Sequence, residues 1–204
     1  MKKSILNDAL DHLSHDLKMN QLISKFGKPQ FTKTNDNFNA LSKSIIYQQL
    51  SGKAAKTIYT RFLSLFNNNL PEAKDIIKIN ISELRKIGIS QQKSIYIQGL
   101  AEYFTKEGKD IDFNSLTDND IYKELIKLKG IGQWTIDMFL MFTLYRTDIL
   151  PVGDLGIQKG FKKIFGMKSL PSNIYMIQKS KPWKPYRTIA CWYLWRIVDD
   201  EIFW

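Results

Sequence analysis

Residues 128–160 read LKGIGQWTIDMFLMFTLYRTDILPVGDLGIQKG, and this stretch decides the fold. A tight Gly130-Ile131-Gly132 turn follows a lysine-bearing segment and precedes an apolar run with helical spacing. A Pro-Val-Gly loop then presents Asp154 ahead of another helical stretch. A helix that begins just after a glycine turn leaves N–H groups that can bind phosphate. The stretch therefore predicts a helical hairpin that grips a phosphate backbone, followed by a carboxylate.

The composition favours a polyanionic partner. Lysine and arginine number 30 against 20 acidic residues, which gives a net charge of +10 and a pI near 9.5. DNA or RNA is the leading partner for such a surplus. A merely soluble basic protein is the alternative, because pI alone discriminates weakly between the two.

The cysteine count and the apolar runs exclude several classes. A single cysteine, Cys191, cannot form an intramolecular disulfide, a cysteine-ligated iron–sulfur cluster or a multi-cysteine zinc site. Acids interrupt the basic start before any signal-peptide core forms, and runs such as 138–144 are too short for a bilayer. We therefore expect a cytoplasmic protein. His12 and His15 have polar neighbours and are interpreted as surface histidines, not metal ligands.

Helical periodicity dominates the chain, which predicts an all-α fold. The predicted helical segments are 38–66 with a break at 48–52, 81–104 with a turn at Gly88, 122–145 hinged at the glycine turn, and 185–203. The stretch around Gly88 echoes the stretch around Gly130. We interpret the former as an ordinary short turn between helices.

The predicted hairpin has two sources of phosphate affinity. Its glycines permit backbone conformations and close approaches that a Cβ would prevent. The helix dipole and free N–H groups attract an anion at the start of the following helix. The residues expected to supply N–H groups or charge are Gly132, Gln133, Trp134, Lys127 and Lys129. A Gly-x-Gly turn alone is weak support for phosphate binding, and the basic composition strengthens it.

Four segments resemble one family of DNA repair enzymes. LKGIGQWTIDMFLMF followed by DILPVGDLGIQKGF resembles the helix-hairpin-helix and Gly/Pro/Asp loop of base-excision DNA glycosylases. SIIYQQLSGKAAKTIYTRF, LRKIGISQQKSIYIQGLA and WKPYRTIACWYLWR look like the DNA-3-methyladenine glycosylase II branch. The segments run from residue 38 to 196 in the order that the family shows, whereas the first 35 or so residues match least.

The resemblance implies a two-lobed, all-α helix-hairpin-helix glycosylase fold with the active-site cleft between the lobes. One lobe is expected to span 36–147 and to carry the wedge and the hairpin. The other is expected to combine 1–35 with 148–204 and to carry the catalytic loop.

Asp154 has two interpretations. Locally it is a natural N-cap for the helix that follows. The resemblance makes it the catalytic carboxylate, and it is the only acid in its loop, because Gly153 stands where some relatives carry a second acid. Asp148, upstream, is a weaker candidate. A carboxylate near C1′ stabilises the positive charge that develops as a base leaves, and it can orient or deprotonate water. One carboxylate suffices for a leaving base that is already cationic, which favours an alkylated purine.

The chain is rich in tryptophan, which suits either core packing or base stacking. The five are Trp134, Trp183, Trp192, Trp195 and Trp204. The resemblance implies that Trp134, Trp195 and Met138 line the pocket for a flipped base. Indole rings attract a cationic purine by roughly 1–2 kcal/mol when desolvated.

The resemblance also implies a wedge, formed by Gln49, Leu50 and Ser51. Leu50 would fill the gap that the extruded base leaves, with its two neighbours in the minor groove. An ordinary buried leucine at a helix end is the alternative. The complete predicted DNA-binding set is Gln49, Leu50, Ser51, Lys127, Lys129, Gly130, Gly132, Gln133 and Thr135.

Trp134 stands where bifunctional relatives carry a lysine that attacks C1′. The resemblance therefore implies a monofunctional hydrolase that acts as a monomer on double-stranded DNA containing alkylated bases and leaves an abasic site. It implies no organic cofactor. A structural Na⁺ or K⁺ is expected on the backbone carbonyls of Ile126, Leu128 and Ile131. Two rivals stay open: a non-catalytic protein that binds lesions through the hairpin, and a bifunctional oxidised-base glycosylase.

Overall fold

A computed structural model describes residues 1–31 and 36–199, and within those ranges all regular structure is helical. The twelve α-helices there are α1 Lys3–Ser14, α2 Leu17–Phe26, α3 Asn37–Tyr47, α4 Gly52–Ser64, α5 Ala73–Lys78, α6 Ile81–Lys86, α7 Gln91–Thr105, α8 Asp118–Leu125, α9 Gln133–Phe142, α10 Leu155–Ile164, α11 Asn173–Lys179 and α12 Arg187–Arg196. A 3₁₀ turn covers Lys181–Trp183. The all-α prediction is confirmed.

The helices begin where short polar side chains can satisfy their free N–H groups. Asp16 caps α2 by accepting from the N–H groups of Lys18 and Met19, and Ser90 caps α7 by accepting from Lys93 N. Such caps are worth about 1 kcal/mol each. The predicted breaks at 48–52 and at Gly88 are confirmed, since α3 gives way to α4 at the first and α6 to α7 at the second.

The helix predicted from about 185 to 203 is α12, Arg187–Arg196. Its start lies two residues later than predicted, and the N–H of Thr188 in its first turn donates to Thr147 O at 2.9 Å. The predicted end is wrong, because Val198 N bonds to Trp195 O in a tighter turn and residues 197–199 are no longer helical. Residue 203 itself lies outside the described residues.

The chain divides into two compact units. We call Thr34–Phe139 the hairpin unit, and Met1–Lys33 with Leu140–Trp204 the loop unit. The two lobes predicted from the sequence span 36–147 and 1–35 with 148–204. The second boundary falls earlier, within α9, because Phe142 packs on Phe31 and Trp195 of the loop unit at ring-centroid distances of 6.2 and 5.7 Å.

Each unit has its own apolar core. In the hairpin unit α7 is central and packs against α3, α5 and α6, with Leu41, Ile45 and Ile97 fully buried. In the loop unit α12 packs against α10 and α2, and Phe161 lies on the fully buried Trp183 at 5.3 Å. Burial of these side chains supplies the main driving force for folding.

Two observations concern membranes and metals. Within 1–31 and 36–199, no helix combines the length and the apolarity needed to cross a bilayer. The same residues contain no group of three or more His, Cys, Asp or Glu side chains placed to hold a metal ion. His15 is exposed, as predicted. His12 is not simply a surface residue: its Nε2 donates to Pro182 O and its ring meets the edge of Tyr186.

Candidate functional site

The hairpin turn between α8 and α9 depends on one of its two glycines. Gly130 has φ +86°, and a Cβ there would lie 2.2 Å from the Tyr96 ring. The turn is closed by Ile131 N, which donates to Leu128 O at 3.1 Å, while the Ile131 side chain is buried. A Cβ on Gly132 would meet no atom within 4 Å. The strict requirement for glycine therefore applies to position 130.

The first turn of α9 presents the predicted phosphate-binding backbone. Gly132 and Gln133 are exposed and Trp134 is half-buried. The Gln133 side chain donates to Asp137 Oδ1 at 2.7 Å. Thr135 is only 1% exposed, and its hydroxyl accepts from Gln48 Nε2 inside the protein. The prediction that Thr135 belongs to the DNA-binding set therefore applies to its backbone N–H.

The two predicted lysines differ in their surroundings. Lys129 is exposed. Lys127 donates to Glu124 at 2.6 Å, and Glu124 also accepts from Tyr103 Oη at 3.0 Å. The hydrogen bond from Lys127, and then that from Tyr103, hold the pKa of Glu124 below its usual value against the opposing effect of burial. Since exposed ion pairs contribute at most about 1 kcal/mol, a phosphate can compete for Lys127.

The wedge corner, Gln49-Leu50-Ser51, projects from the junction of α3 and α4. Leu50 is 40% exposed, so the alternative of a buried leucine is wrong. Gln49 is exposed and has φ +56°, and Ser51 caps α4 by accepting from Ala54 N. An apolar side chain thus stands at a sharp, exposed corner.

Two side chains that the sequence analysis missed hold this corner. Gln48 Nε2 donates to Gly130 O at 2.7 Å and to Thr135 Oγ1 at 2.9 Å. Lys93 Nζ donates to Ile46 O and Gln48 O, at 2.8 and 2.7 Å. The only sequence signal for such a role is the polar pair Gln48-Gln49 at the end of an apolar helix.

In the loop unit, Asp154 caps α10 and also binds an indole. Its Oδ1 accepts from Ile157 N at 2.8 Å and from Trp195 Nε1 at 2.9 Å. A Cβ on Gly156 would lie 2.6 Å from the Trp195 ring and 3.0 Å from Asp154 Oδ1, so this approach needs a glycine. The N-cap interpretation is confirmed, and the carboxylate is at the same time set against an aromatic ring.

The structure places one of the predicted aromatic residues against Asp154. This is Trp195, which is 7% exposed and also packs on Phe142, a half-buried ring that the sequence analysis missed. Trp134 and Met138 belong to the hairpin unit, where Met138 is fully buried. Trp183 is fully buried in the core, whereas Trp192 is half-buried. Trp204 lies outside the described residues.

The loop between α9 and α10, which carries Asp154, is anchored to the start of α12. Arg187 donates to both carboxylate oxygens and to the backbone carbonyl of Asp148, at 2.5, 3.0 and 2.9 Å. The Thr188 hydroxyl donates to Arg146 O and accepts from Ile149 N. Asp148, the weaker candidate acid, is therefore engaged in fixing the loop.

Comparison with known proteins identifies close relatives. Residues 42–185 match the family model of HhH-GPD superfamily base excision DNA repair proteins. The chain is 30% identical to DNA-3-methyladenine glycosylase 1 of Schizosaccharomyces pombe, over 86% of this chain and 78% of the relative. It is 32% identical to the alkylbase DNA glycosidase-like protein mag2 of the same organism, over 96% and 95%.

Solved structures agree with these matches. The 3-methyladenine DNA glycosylase Mag1 of Schizosaccharomyces pombe, in complex with abasic DNA, superposes with a TM-score of 0.85 at 30% identity, covering 93% of this chain and 95% of that one. An 8-oxoguanine glycosylase/lyase from Clostridium acetobutylicum has a TM-score of 0.74 at 14% identity, which is a likeness of fold alone.

The hairpin glycines provide a matched pair for a stability test. Gly130→Ala combines a positive φ with a clash against Tyr96, so we expect a loss of about 2–4 kcal/mol in the free energy of unfolding. Gly132→Ala has neither problem and is expected to change it by less than about 0.5 kcal/mol. Urea unfolding followed by circular dichroism measures both, and equal losses would contradict the assignment of the turn to Gly130.

The Arg187–Asp148 pair supports a second stability prediction. Its side chains are 16% and 32% exposed, so Arg187→Ala leaves a partly buried carboxylate without its donors. We expect a loss of about 2–3 kcal/mol in the free energy of unfolding. Lys74→Ala is the control, since the Lys74–Glu72 pair is 61% and 68% exposed and its loss should leave the free energy of unfolding nearly unchanged. Losses of similar size in the two variants would refute the anchoring function.

Proposed function

We infer that the chain, which belongs to the HhH-GPD superfamily of base excision DNA repair proteins, is a monofunctional DNA glycosylase that removes alkylated purines from DNA. It hydrolyses the N-glycosidic bond and leaves an abasic site. The observation that carries this proposal is Asp154, the single acid of its loop, held by Trp195. Asp16 also caps a helix and accepts from an indole, that of Trp183, but it lies outside the loop that the family uses.

The chemistry that we propose for Asp154 is electrostatic first. As the C1′–N bond lengthens, its electron pair goes to the purine and positive charge develops on the deoxyribose. A fixed carboxylate stabilises that charge. Water then adds to C1′, and the carboxylate accepts its proton. A methylated purine starts with a positive charge and leaves neutral, so the reaction does not require a second acid to protonate it.

The aromatic side chains suit the same substrate class. Because the Trp195 N–H is engaged by Asp154, the indole is left to interact through its π face. Phe142 packs against it at an interplanar angle of 41°. Such faces attract a cationic base without reading its hydrogen-bonding edge. Trp134 and Met138 stay in the proposal as further pocket residues on the strength of the family resemblance.

DNA is the partner, and the hairpin unit carries the proposed grip on it. The first-turn N–H groups of α9 and the charge of Lys127 and Lys129 would bind backbone phosphates. Leu50, flanked by Gln49 and Ser51, would fill the gap left by the extruded base. We further propose that the enzyme acts in the cytoplasm as a monomer.

We also propose that the hairpin holds a structural Na⁺ or K⁺ on the backbone carbonyls of Ile126, Leu128 and Ile131. Ile126 follows the last residue of α8 as its C-cap, where helix carbonyls point outward and attract cations. Leu128 O accepts from Ile131 N, and a carbonyl oxygen has a second lone pair for an ion. The ion would stiffen the turn and take no part in the chemistry.

The substitution Asp154→Asn tests the carboxylate. Asparagine is as good an N-cap as aspartate and can accept from Trp195, so the change removes charge and little else. We expect the release of methylated purines from duplexes with single defined lesions to fall by about 100-fold or more. Affinity for the same duplexes should be retained.

The outcome separates the enzyme from a lesion-binding protein. Unchanged excision by Asp154→Asn would remove Asp154 from the chemistry. Wild-type protein that binds the lesions but releases no base from any of them would support the non-catalytic alternative. Asp154→Ala, which also loses the cap, serves to show how much of any loss is structural.

Borohydride trapping tests the monofunctional assignment. A bifunctional enzyme forms an imine with C1′, which borohydride reduces to a stable protein–DNA adduct. With Trp134 at the position where the resemblance places the attacking lysine, we expect no adduct and no strand cleavage beyond that of abasic DNA alone. An 8-oxoguanine glycosylase/lyase trapped under the same conditions is the positive control, and an adduct with this chain would reverse the assignment.

A further inference from the structure

The wedge corner is held from two sides by side chains that have no part in the proposed chemistry. Gln48 reaches from the end of α3 to the hairpin turn, and Lys93 reaches from α7 to the end of α3. Both side chains are half-buried. The contacts that they make connect the two DNA-facing elements of the hairpin unit.

Gln48 links positions that are distant in sequence. One amide nitrogen donates to Gly130 O and to Thr135 Oγ1, which lie 82 and 87 residues further along the chain. Gly130 is the residue whose backbone makes the hairpin turn, and Thr135 lies in the first turn of α9. The residue before the wedge corner is thereby hydrogen-bonded to both sides of the proposed phosphate grip.

Lys93 supports the same corner from the other side. The last carbonyls of a helix lack partners within it, and Lys93 Nζ donates to two of those near the end of α3, Ile46 O and Gln48 O. Hydrogen bonds from an ammonium group are stronger than neutral ones. Lys93 is half-buried where it makes these contacts, and this burial lowers the pKa of its amine.

The backbone between these supports is strained. Gln49 has φ +56°, a left-handed conformation that is unfavourable for a non-glycine residue. Such a conformation persists only when its surroundings determine it. Gln48 and Lys93 provide that determination, and the result is that Leu50 is presented outward at the corner.

The extrusion of a base needs this kind of support. Unstacking and unpairing a nucleotide costs a few kcal/mol. The wedge must keep its position against this cost when it enters the stack. A wedge that can yield relative to the phosphate grip would relax instead of displacing the base. The contacts of Gln48 are those that would prevent such movement within the hairpin unit.

We propose that Gln48 and Lys93 are positioning residues for base extrusion, which hold the Leu50 wedge in fixed register with the phosphate-binding hairpin. This inference rests on the proposed glycosylase function. It assigns to Gln48 and Lys93 no contact with the reacting atoms and no effect on the bond-breaking step itself.

The test compares substrates that differ in the cost of extrusion. Single-turnover excision of one alkylated purine is measured in a normally paired duplex and in a duplex where the lesion is mispaired, since a mispaired base is easier to flip. For Gln48→Ala we expect the paired rate to fall about 10- to 100-fold, because two hydrogen bonds of about 1 kcal/mol each are lost. The mispaired rate should fall by about threefold or less.

The matched control is Gln98→Ala. Gln98 is a half-buried glutamine of the same unit whose Nε2 also donates to a backbone carbonyl, Ile79 O at 2.8 Å, away from the wedge corner. Gln98→Ala should lower the thermal midpoint of unfolding about as much as Gln48→Ala does, while leaving the ratio of paired to mispaired excision rates at the wild-type value. Gln48→Glu keeps the size of the side chain but loses the donor, so it should behave like Gln48→Ala.

A second variant and a second readout keep the test decisive. Lys93→Met retains the apolar stem and should also change the rate ratio, with Lys18→Met, which loses a bond to Ile164 O, as its control. The fluorescence of 2-aminopurine placed at the target position reports base flipping without the bond-breaking step. Both Gln48→Ala and Lys93→Met should reduce this flipping signal. If Gln48→Ala fails to unfold cooperatively, the Lys93→Met comparison decides.

The outcomes distinguish the inference from the function on which it rests. Wild-type protein that excises no base from either duplex would refute the proposed function, and the fluorescence measurement would still report on the wedge. Active wild-type protein whose rate ratio and flipping signal are unchanged in both Gln48→Ala and Lys93→Met would overturn the positioning proposal alone.

Discussion

One carboxylate oxygen, Oδ1 of Asp154, receives both the N–H that opens α10 and the indole N–H of Trp195 on α12. The two hydrogen bonds, one from the backbone and one from the Trp195 side chain, fix the direction of the carboxylate. They also require the backbone to pass close to the ring, which explains the glycine at position 156. Because α10 also packs on α12 in the core of the loop unit, this oxygen joins two helices that are already in contact.

Much of this arrangement could be predicted from local sequence, because caps and turns are local. The N-cap at Asp154, the turn at Gly130 and the break before Gly52 all follow from residue type and periodicity. The amide of Gln48 could not be placed, since its partners lie more than 80 residues away and leave no periodic signal. The hydroxyl of Thr135 could not be placed for the same reason: sequence locates the residue in the first turn of α9, but only packing shows that its hydroxyl faces inward.

The net charge of +10 proved a coarse indicator, because several lysines act within the protein. Lys93, Lys18 and Lys163 each donate to carbonyls at or near helix ends, and Lys127 is paired with Glu124. Lys93, Lys18 and Lys163 stabilise helix ends by satisfying exposed carbonyls and by opposing the helix dipole. The surplus therefore does not mark a DNA surface by itself, and our proposal of one rests on the positions of the hairpin and the wedge corner.

The single carboxylate and its aromatic partner also bear on how the proposed site selects its substrate. With the Trp195 N–H committed to Asp154, the aromatic faces cannot recognise a base by its hydrogen-bonding pattern. In the site that we propose, discrimination would then depend on two properties of the substrate: the positive charge that the rings attract, and the ease with which the base leaves once the sugar charge is stabilised. Alkylation of a purine ring nitrogen changes both in the same direction. A normal purine lacks the charge and is a poor leaving group, so the site would reject it through the barrier to reaction even where it is small enough to enter.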